Sequence, residues 1–162
     1  MSGWFEKAVA IVLEKEGVLS DDARDPGGLT KYGISKKAYP ALDIANLTVA
    51  DAIAIYRRDY WAAVRGDDLP WAFALPLFDC AVNQGPGTAI RFFQLALGVR
   101  PDGAFGPVTL AAAQRVQAKP DAVLADFMAR RVVHYASLGT WPTFGNGWAR
   151  RAFAVALLAK GA

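Results

Sequence analysis

The chain has 162 residues, 54% of them hydrophobic, with a formal net charge of +3 and an isoelectric point near 9.1. That length suits one domain with a real core, and the alanine-rich apolar content excludes a disordered or low-complexity protein. Mild basicity suits a polyanionic partner such as cell wall or nucleic acid, yet no basic run of the nucleic-acid-arm kind is present.

The arginine doublets Arg57-Arg58, Arg130-Arg131 and Arg150-Arg151 are scattered and read as solvated helix faces. A single cysteine, Cys80, excludes an intramolecular disulfide. Charges at Glu6, Lys7 and Glu14 to Glu16 interrupt any apolar N-terminal core, so no signal peptide is expected. No window is long enough for a membrane span. The expectation is a monomer synthesised in the cytoplasm, without nucleic-acid binding or stable membrane insertion.

In chain order, a first helix is predicted over about residues 3–16. Phe5, Val9, Val12 and Glu16 follow the spacing 4, 3, 4 and share one face, and Gly17 is the expected stop. Residues 18–35 carry turn chemistry in Asp21-Asp22, Asp25-Pro26 and Gly27-Gly28, with a short strand over 30–35, which reads as a small β-hairpin lobe. Thr48 to Asp51 resembles a capping box opening a helix through about Val64, with Ile53, Tyr56 and Tyr60 on one face.

A very apolar segment from Trp71 to Asn83 closes on Gln84-Gly85-Pro86-Gly87. Further helices are predicted over 88–97, 108–117 and 121–138, the second opened by Pro107 and the last followed by one beginning after Asn146-Gly147. The fold class is mainly α with a small β-hairpin lobe after the first helix. No linker divides the chain, so residues 1–90 and 91–162 are expected to pack as one unit.

Glu16 stands at the end of an apolar stripe, and Asp25 follows nine residues on in a glycine-rich turn with Thr30 just beyond. Glycoside hydrolysis needs one protonated carboxyl to assist the leaving oxygen and one carboxylate to activate water or stabilise the cation. Partial desolvation on an apolar face raises a glutamate's pKa and suits Glu16 to the acid role, whereas Asp25 in a polar turn stays ionised. By residue type alone, a solvated helix end followed by an ordinary turn explains the same letters. Spacing does not decide between them.

The run EGVLSDDARDPGGLTKYGISKKAYP, residues 16–40, resembles the opening signature of glycoside hydrolase family 108, the phage-type N-acetylmuramidases, which reads E-G-G-Y-x-x-D-P-x-D-P-G-G-x-T-x-Y-G-I. The resemblance continues through IYRRDYW (55–61), FDCAVNQG (78–85), FFQLALGVRPDGAFGPVTLAA (92–112) and GWARR (147–151). It implies a lysozyme-like fold and hydrolysis of the β-1,4 bond between N-acetylmuramic acid and N-acetylglucosamine. It places the proton donor on Glu16, with Asp25 and Thr30 as its partners. Val18 and Leu19 stand where the signature has glycine and an aromatic, and Ala23 where it commonly has proline. Peptidoglycan is the implied partner, with no cofactor and no metal, and the class implied is a phage-type endolysin reaching the wall after holin-type release or lysis.

Asn83 and Gln84 belong to a turn resembling the Asn-x-Gly turn that lines lysozyme-like clefts, where an amide binds an N-acetyl group; a helix C-cap explains them equally well. Tyr32 either stacks on a sugar ring or packs. Helical spacing favours core packing for Tyr56, Tyr60, Trp61, Phe92, Phe93 and Trp148. Asp102 to Thr109 resembles the D-G-x-F-G-x-x-T element of peptidoglycan-binding modules and reads as integral packing that adds a wall contact.

Zinc amidases and peptidases need several convergent ligands, and the chain offers only His134 and Cys80 beside its carboxylates. A Cys–His peptidase needs an exposed thiol, whereas Cys80 falls in an apolar helical run. Two alternatives remain: a lytic transglycosylase on the same bond, which needs no water-activating aspartate, and a non-catalytic wall-binding protein, which needs none of the three site residues.

Overall fold

The computed structural model describes residues 3–16 and 28–161 in full and the backbone of residues 19–20. The elements are α1 (Trp4–Glu16), β1 (Leu19–Ser20), β2 (Thr30–Lys31), β3 (Ile34–Ser35), α2 (Val49–Ile55), a π-helical turn (Tyr56–Trp61), α3 (Trp71–Gln84), α4 (Pro86–Ala96), α5 (Pro107–Val116), α6 (Asp121–Ala136) and α7 (Trp141–Lys160). The mainly α architecture with a β lobe after the first helix is as expected.

The lobe is one antiparallel sheet in the order β1-β2-β3, with Ser20 opposite Thr30 and Thr30 opposite Ser35. The strand expected over 30–35 is in fact a hairpin. Tyr32 and Gly33 both take positive φ, 52° and 78°, as the two central residues of a tight hairpin turn of the primed kind require. Glycine adopts this readily; a tyrosine does so only where its surroundings hold it.

α3 is the central helix. Trp71 and every residue from Phe73 to Ala81 are buried, and α1, α4 and α7 all pack on it. Apart from Asp79, its sequence is apolar on every side from Trp71 to Val82, and that makes the placement, because such a stretch has no side to give to water. A continuous hydrophobic cluster runs from Phe5 to Ala159.

Three boundaries differ from expectation. The capping box at Thr48 and Asp51 is present, but the helix it opens turns π-helical at Tyr56, where the Ala62 amide donates to the Arg57 carbonyl five residues back. The wider turn lets Tyr56 and Trp61, five apart, both bury and pack edge-on against Phe78. α4 starts earlier than predicted, with Pro86 at its first turn. α7 begins at Trp141 rather than after Gly147. Pro142 opens it, and Gly145 lies where a Cβ would sit 2.5 Å from the Trp141 ring, so the glycine fits an aromatic side chain rather than breaking the helix.

Candidate active site

Glu16 is the last residue of α1, placed there by the buried stripe Phe5, Val9 and Val12. Its side chain is 19% exposed, and Oε1 lies 2.6 Å from Nη1 of Arg151 on α7. The surroundings are therefore not the apolar pocket the stripe suggested: a guanidinium meets the carboxylate. From the other side the Tyr32–Gly33 turn closes on it. A Cβ at Gly33 would lie 2.9 Å from Glu16 Cγ and 2.3 Å from the Tyr56 hydroxyl, so only glycine lets the hairpin approach this closely.

Tyr56 anchors that turn by donating its hydroxyl proton to the Tyr32 carbonyl at 2.7 Å. Burial, reinforced by the nearby Glu16 charge, pushes the Tyr56 ionisation well above its ordinary range, so the proton is always there to donate. The Y-G pair of the signature is thus a backbone wedge against Glu16. The Tyr32 ring is half-buried, with Lys31 Nζ 5.6 Å from its centre.

Arg151 also reaches Asp79 on α3, at 2.9 Å, and Arg131 on α6 meets the same carboxylate at 2.6 Å. Asp79 and Arg131 are fully buried. Burial alone would raise the Asp79 pKa; the two guanidinium charges outweigh it and hold it below the ordinary value. Burial would likewise ease proton loss from Arg151, and Asp79 and Glu16 reverse that. The chain of contacts continues: Arg131 donates to the Tyr135 hydroxyl, which donates to Asn83 Oδ1. A connected network therefore runs from Glu16 through Arg151, Asp79, Arg131 and Tyr135 to Asn83.

This corrects the reading of the arginine doublets. Arg130 is a surface residue paired with Asp126, but Arg131 is enclosed and Arg151 nearly so, with a side chain 13% exposed. Asp79 was not singled out from the sequence, although a lone carboxylate inside the apolar run Trp71 to Val82 signals a buried cation elsewhere in the chain.

Beside Glu16 lies a groove of about 440 Å³, lined by Lys15, Asn83, Gly147, Trp148, Arg150, Arg151 and Ala154. Trp148 is one wall, its ring stacked on Tyr135 at 5.1 Å, so it faces the groove as well as packing. Asn83 and Gln84 end α3, and Gly85 caps it with φ 87°. Asn83 joins the groove, whereas the Gln84 amide accepts from the Cys80 thiol and donates to the Arg131 carbonyl.

Thr30 sits in β2 and donates its hydroxyl to the Gly28 carbonyl at 3.0 Å, which leaves the oxygen's lone pairs as acceptors. Asp25 lies outside the described residues, as do Val18 and Ala23. Burial pushes the Cys80 thiol up to about 12, so it is a core residue with no thiolate to offer. Among the described residues no group of three His, Cys, Asp or Glu side chains converges on a metal site.

The Asp102 to Thr109 element is pinned from within. The Gln94 amide nitrogen lies within 3.0 Å of Asp102 Oδ1, the Ala104 carbonyl and the Thr109 hydroxyl, and its oxygen accepts from the Gly103 amide. The residues that give the element its signature shape the turn before α5.

A helical body, a β lobe wedged against a carboxylate at the end of the first helix, and a groove beside that carboxylate define a lysozyme-like glycan-cleaving enzyme. The comparisons agree. Residues 9–85 match the family model "Glycosyl hydrolase 108" and residues 88–153 the model "Predicted Peptidoglycan domain". The solved structure of Brucella abortus SagA is 35% identical, with a TM-score of 0.90 over 99% of this chain and 95% of that one. No curated protein matches. The chain belongs to the glycosyl hydrolase 108 family. It is a glycoside hydrolase, and its substrate is peptidoglycan.

Proposed function

We propose that the chain is an N-acetylmuramidase of the endolysin type, cleaving the β-1,4 bond between N-acetylmuramic acid and N-acetylglucosamine, with Glu16 as the general acid. The observation that supports this most is the mounting of Glu16: last in its helix, wedged by the Gly33 turn and held through Oε1 by Arg151, beside an open groove. With Oε1 held, Oε2 carries the proton to the glycosidic oxygen as the C1–O bond breaks. Asp25 is the second carboxylate, activating the water that bonds to C1 or stabilising the oxocarbenium-like charge, and the Thr30 oxygen helps to orient that water. Asn83 and Tyr32 belong to the substrate-binding surface in this reading, whereas Gln84, turned to Cys80 and the Arg131 carbonyl, stands outside the groove.

In the same reading residues 1–90 and 91–162 act as one unit, because the acid and its holder lie on opposite sides of that boundary. A cell-lytic role follows from cutting the wall that resists turgor. Mass spectrometry of fragments released from purified peptidoglycan tests the assignment. Reducing muramic ends are expected, and Glu16→Gln should release none while melting within a few degrees of wild type. Ends in 1,6-anhydro form would make the enzyme a transglycosylase, and free peptides would remove glycan cleavage altogether.

A further inference from the structure

The groove beside Glu16 has a chemical character that a glycan backbone does not call for. N-acetylated sugar rings are neutral and present hydroxyl and amide groups, for which carboxylates, amides and aromatic faces suffice. This groove is lined instead by three cations, Lys15, Arg150 and Arg151, with one amide and one indole. Arg151 is committed to Glu16 and Asp79. Lys15 and Arg150 are exposed and make no ion pair among the described residues. The anionic groups of peptidoglycan are mainly in its stem peptides, whose acidic residues and free C-termini each carry a carboxylate.

We infer that this groove receives the stem peptide attached to the muramic acid residue, with Arg150 and Lys15 pairing to its carboxylates, so that the enzyme selects peptide-bearing strands over naked ones. The inference rests on peptidoglycan being the substrate and not on which bond is cut. Four further features fit a peptide. The volume of about 440 Å³ falls in the range of about 300–1,000 Å³ for small-ligand sites. Trp148, held flat by Tyr135, gives an apolar wall for alanine methyls and an aliphatic side chain. Gly147 leaves the groove open on the α7 side, since a Cβ there would meet nothing within 4 Å. Asn83, fixed through its oxygen by Tyr135, can present its amide protons to a peptide carbonyl. The groove adjoins the acid through neighbours in sequence, Lys15 beside Glu16 and Arg150 beside Arg151, so a side group hanging from the ring being cleaved reaches it.

The test uses the non-cleaving Glu16→Gln protein and two soluble probes, the N-acetylglucosamine–N-acetylmuramic acid disaccharide with its tetrapeptide and without it. The bare disaccharide keeps one lactyl carboxylate at the ring, which separates that anion from those of the peptide. By calorimetry the tetrapeptide form should bind about fivefold more tightly, the size expected of a partly exposed ion pair in favourable geometry. Arg150→Glu should erase the difference by charge. Gly147→Gln should erase it by filling the groove without touching a charge, and circular dichroism establishes that both variants fold. Equal affinity for the two probes overturns the inference, as does no measurable binding of the tetrapeptide form. A preference that survives both variants overturns it too, and so does an equal dependence of both probes on Arg150, which would assign the groove to the lactyl group. Fragment analysis of wild-type digests judges the bond assignment separately, because these binding measurements involve no cleavage.

Discussion

Replacing Asp79 with asparagine keeps the shape of the side chain and removes its charge. Among the described residues Arg131, fully buried, then has no counter-ion, and Arg151 keeps only Glu16. Removing one partner of a buried ion pair costs about 3–5 kcal/mol, because the remaining charge stays out of water uncompensated. Asparagine still offers an acceptor oxygen, which places the expected loss near the lower end. For a chain of this size each kcal/mol moves the melting point by about 2–4 °C, so Asp79→Asn should melt about 6–12 °C below wild type at pH 7.

The pH dependence is a sharper check. The folded-state pKa of Asp79 lies below its unfolded value, so its contribution is complete above about pH 4 and disappears as pH falls through the folded value. The gap between wild type and variant, measured by thermal melts followed by circular dichroism, should be constant from pH 7 to 5 and narrow below pH 4. A gap under about 2 °C at neutral pH, or one that does not change down to pH 2.5, would refute the reasoning.

Gly33→Ala should be harsher than an ordinary turn substitution. The left-handed backbone alone costs about 1–2 kcal/mol, and the new methyl collides with Tyr56 and Glu16; a melt lowered by at least 4 °C and peptidoglycan turbidity clearance lowered at least tenfold are expected. Tyr56→Phe removes one hydroxyl from the Tyr32 carbonyl and should cost about 1–3 kcal/mol in denaturant titration, with clearance falling as the wedge relaxes. Gln94→Ala leaves the turn before α5 without its central pin and should cost about 2 kcal/mol, while clearance per folded molecule stays at the wild-type level. Lost wall binding at unchanged stability would instead make that turn a contact surface.

Much of the fold is legible in local letters. The apolar stripe of α1, the capping box at Thr48, the all-apolar run of α3 and the proline before α5 each act through nearest turns of the chain, and each element stands where its signal is. The misreadings share a cause: their deciding partner is remote or atypical. Asn146-Gly147 reads as the start of the last helix, whereas α7 already runs through Gly145, which lies under the Trp141 ring. The π-helical turn owes its register to Phe78, seventeen or more residues away, between Tyr56 and Trp61.

The site divides in the same way. Glu16 stands out by position and by resemblance, but its guanidinium partner comes from a doublet that looks like a solvated surface. No spacing rule links residue 16 to residue 151. The significance of Tyr32 shifted likewise, from its ring to its carbonyl, because a positive φ on a tyrosine is invisible until the turn is built.

The Glu16–Arg151 contact has a consequence for the order in which the protein is made. Synthesis releases Glu16 long before Arg151, so while α7 is still in the ribosomal tunnel the carboxylate lacks the guanidinium that holds it, and Asp79 and Arg131 lack the third member of their cluster. A growing chain therefore carries Glu16 without its mounting. An enzyme that acts on peptidoglycan is in this way kept unfinished until α7 has been made.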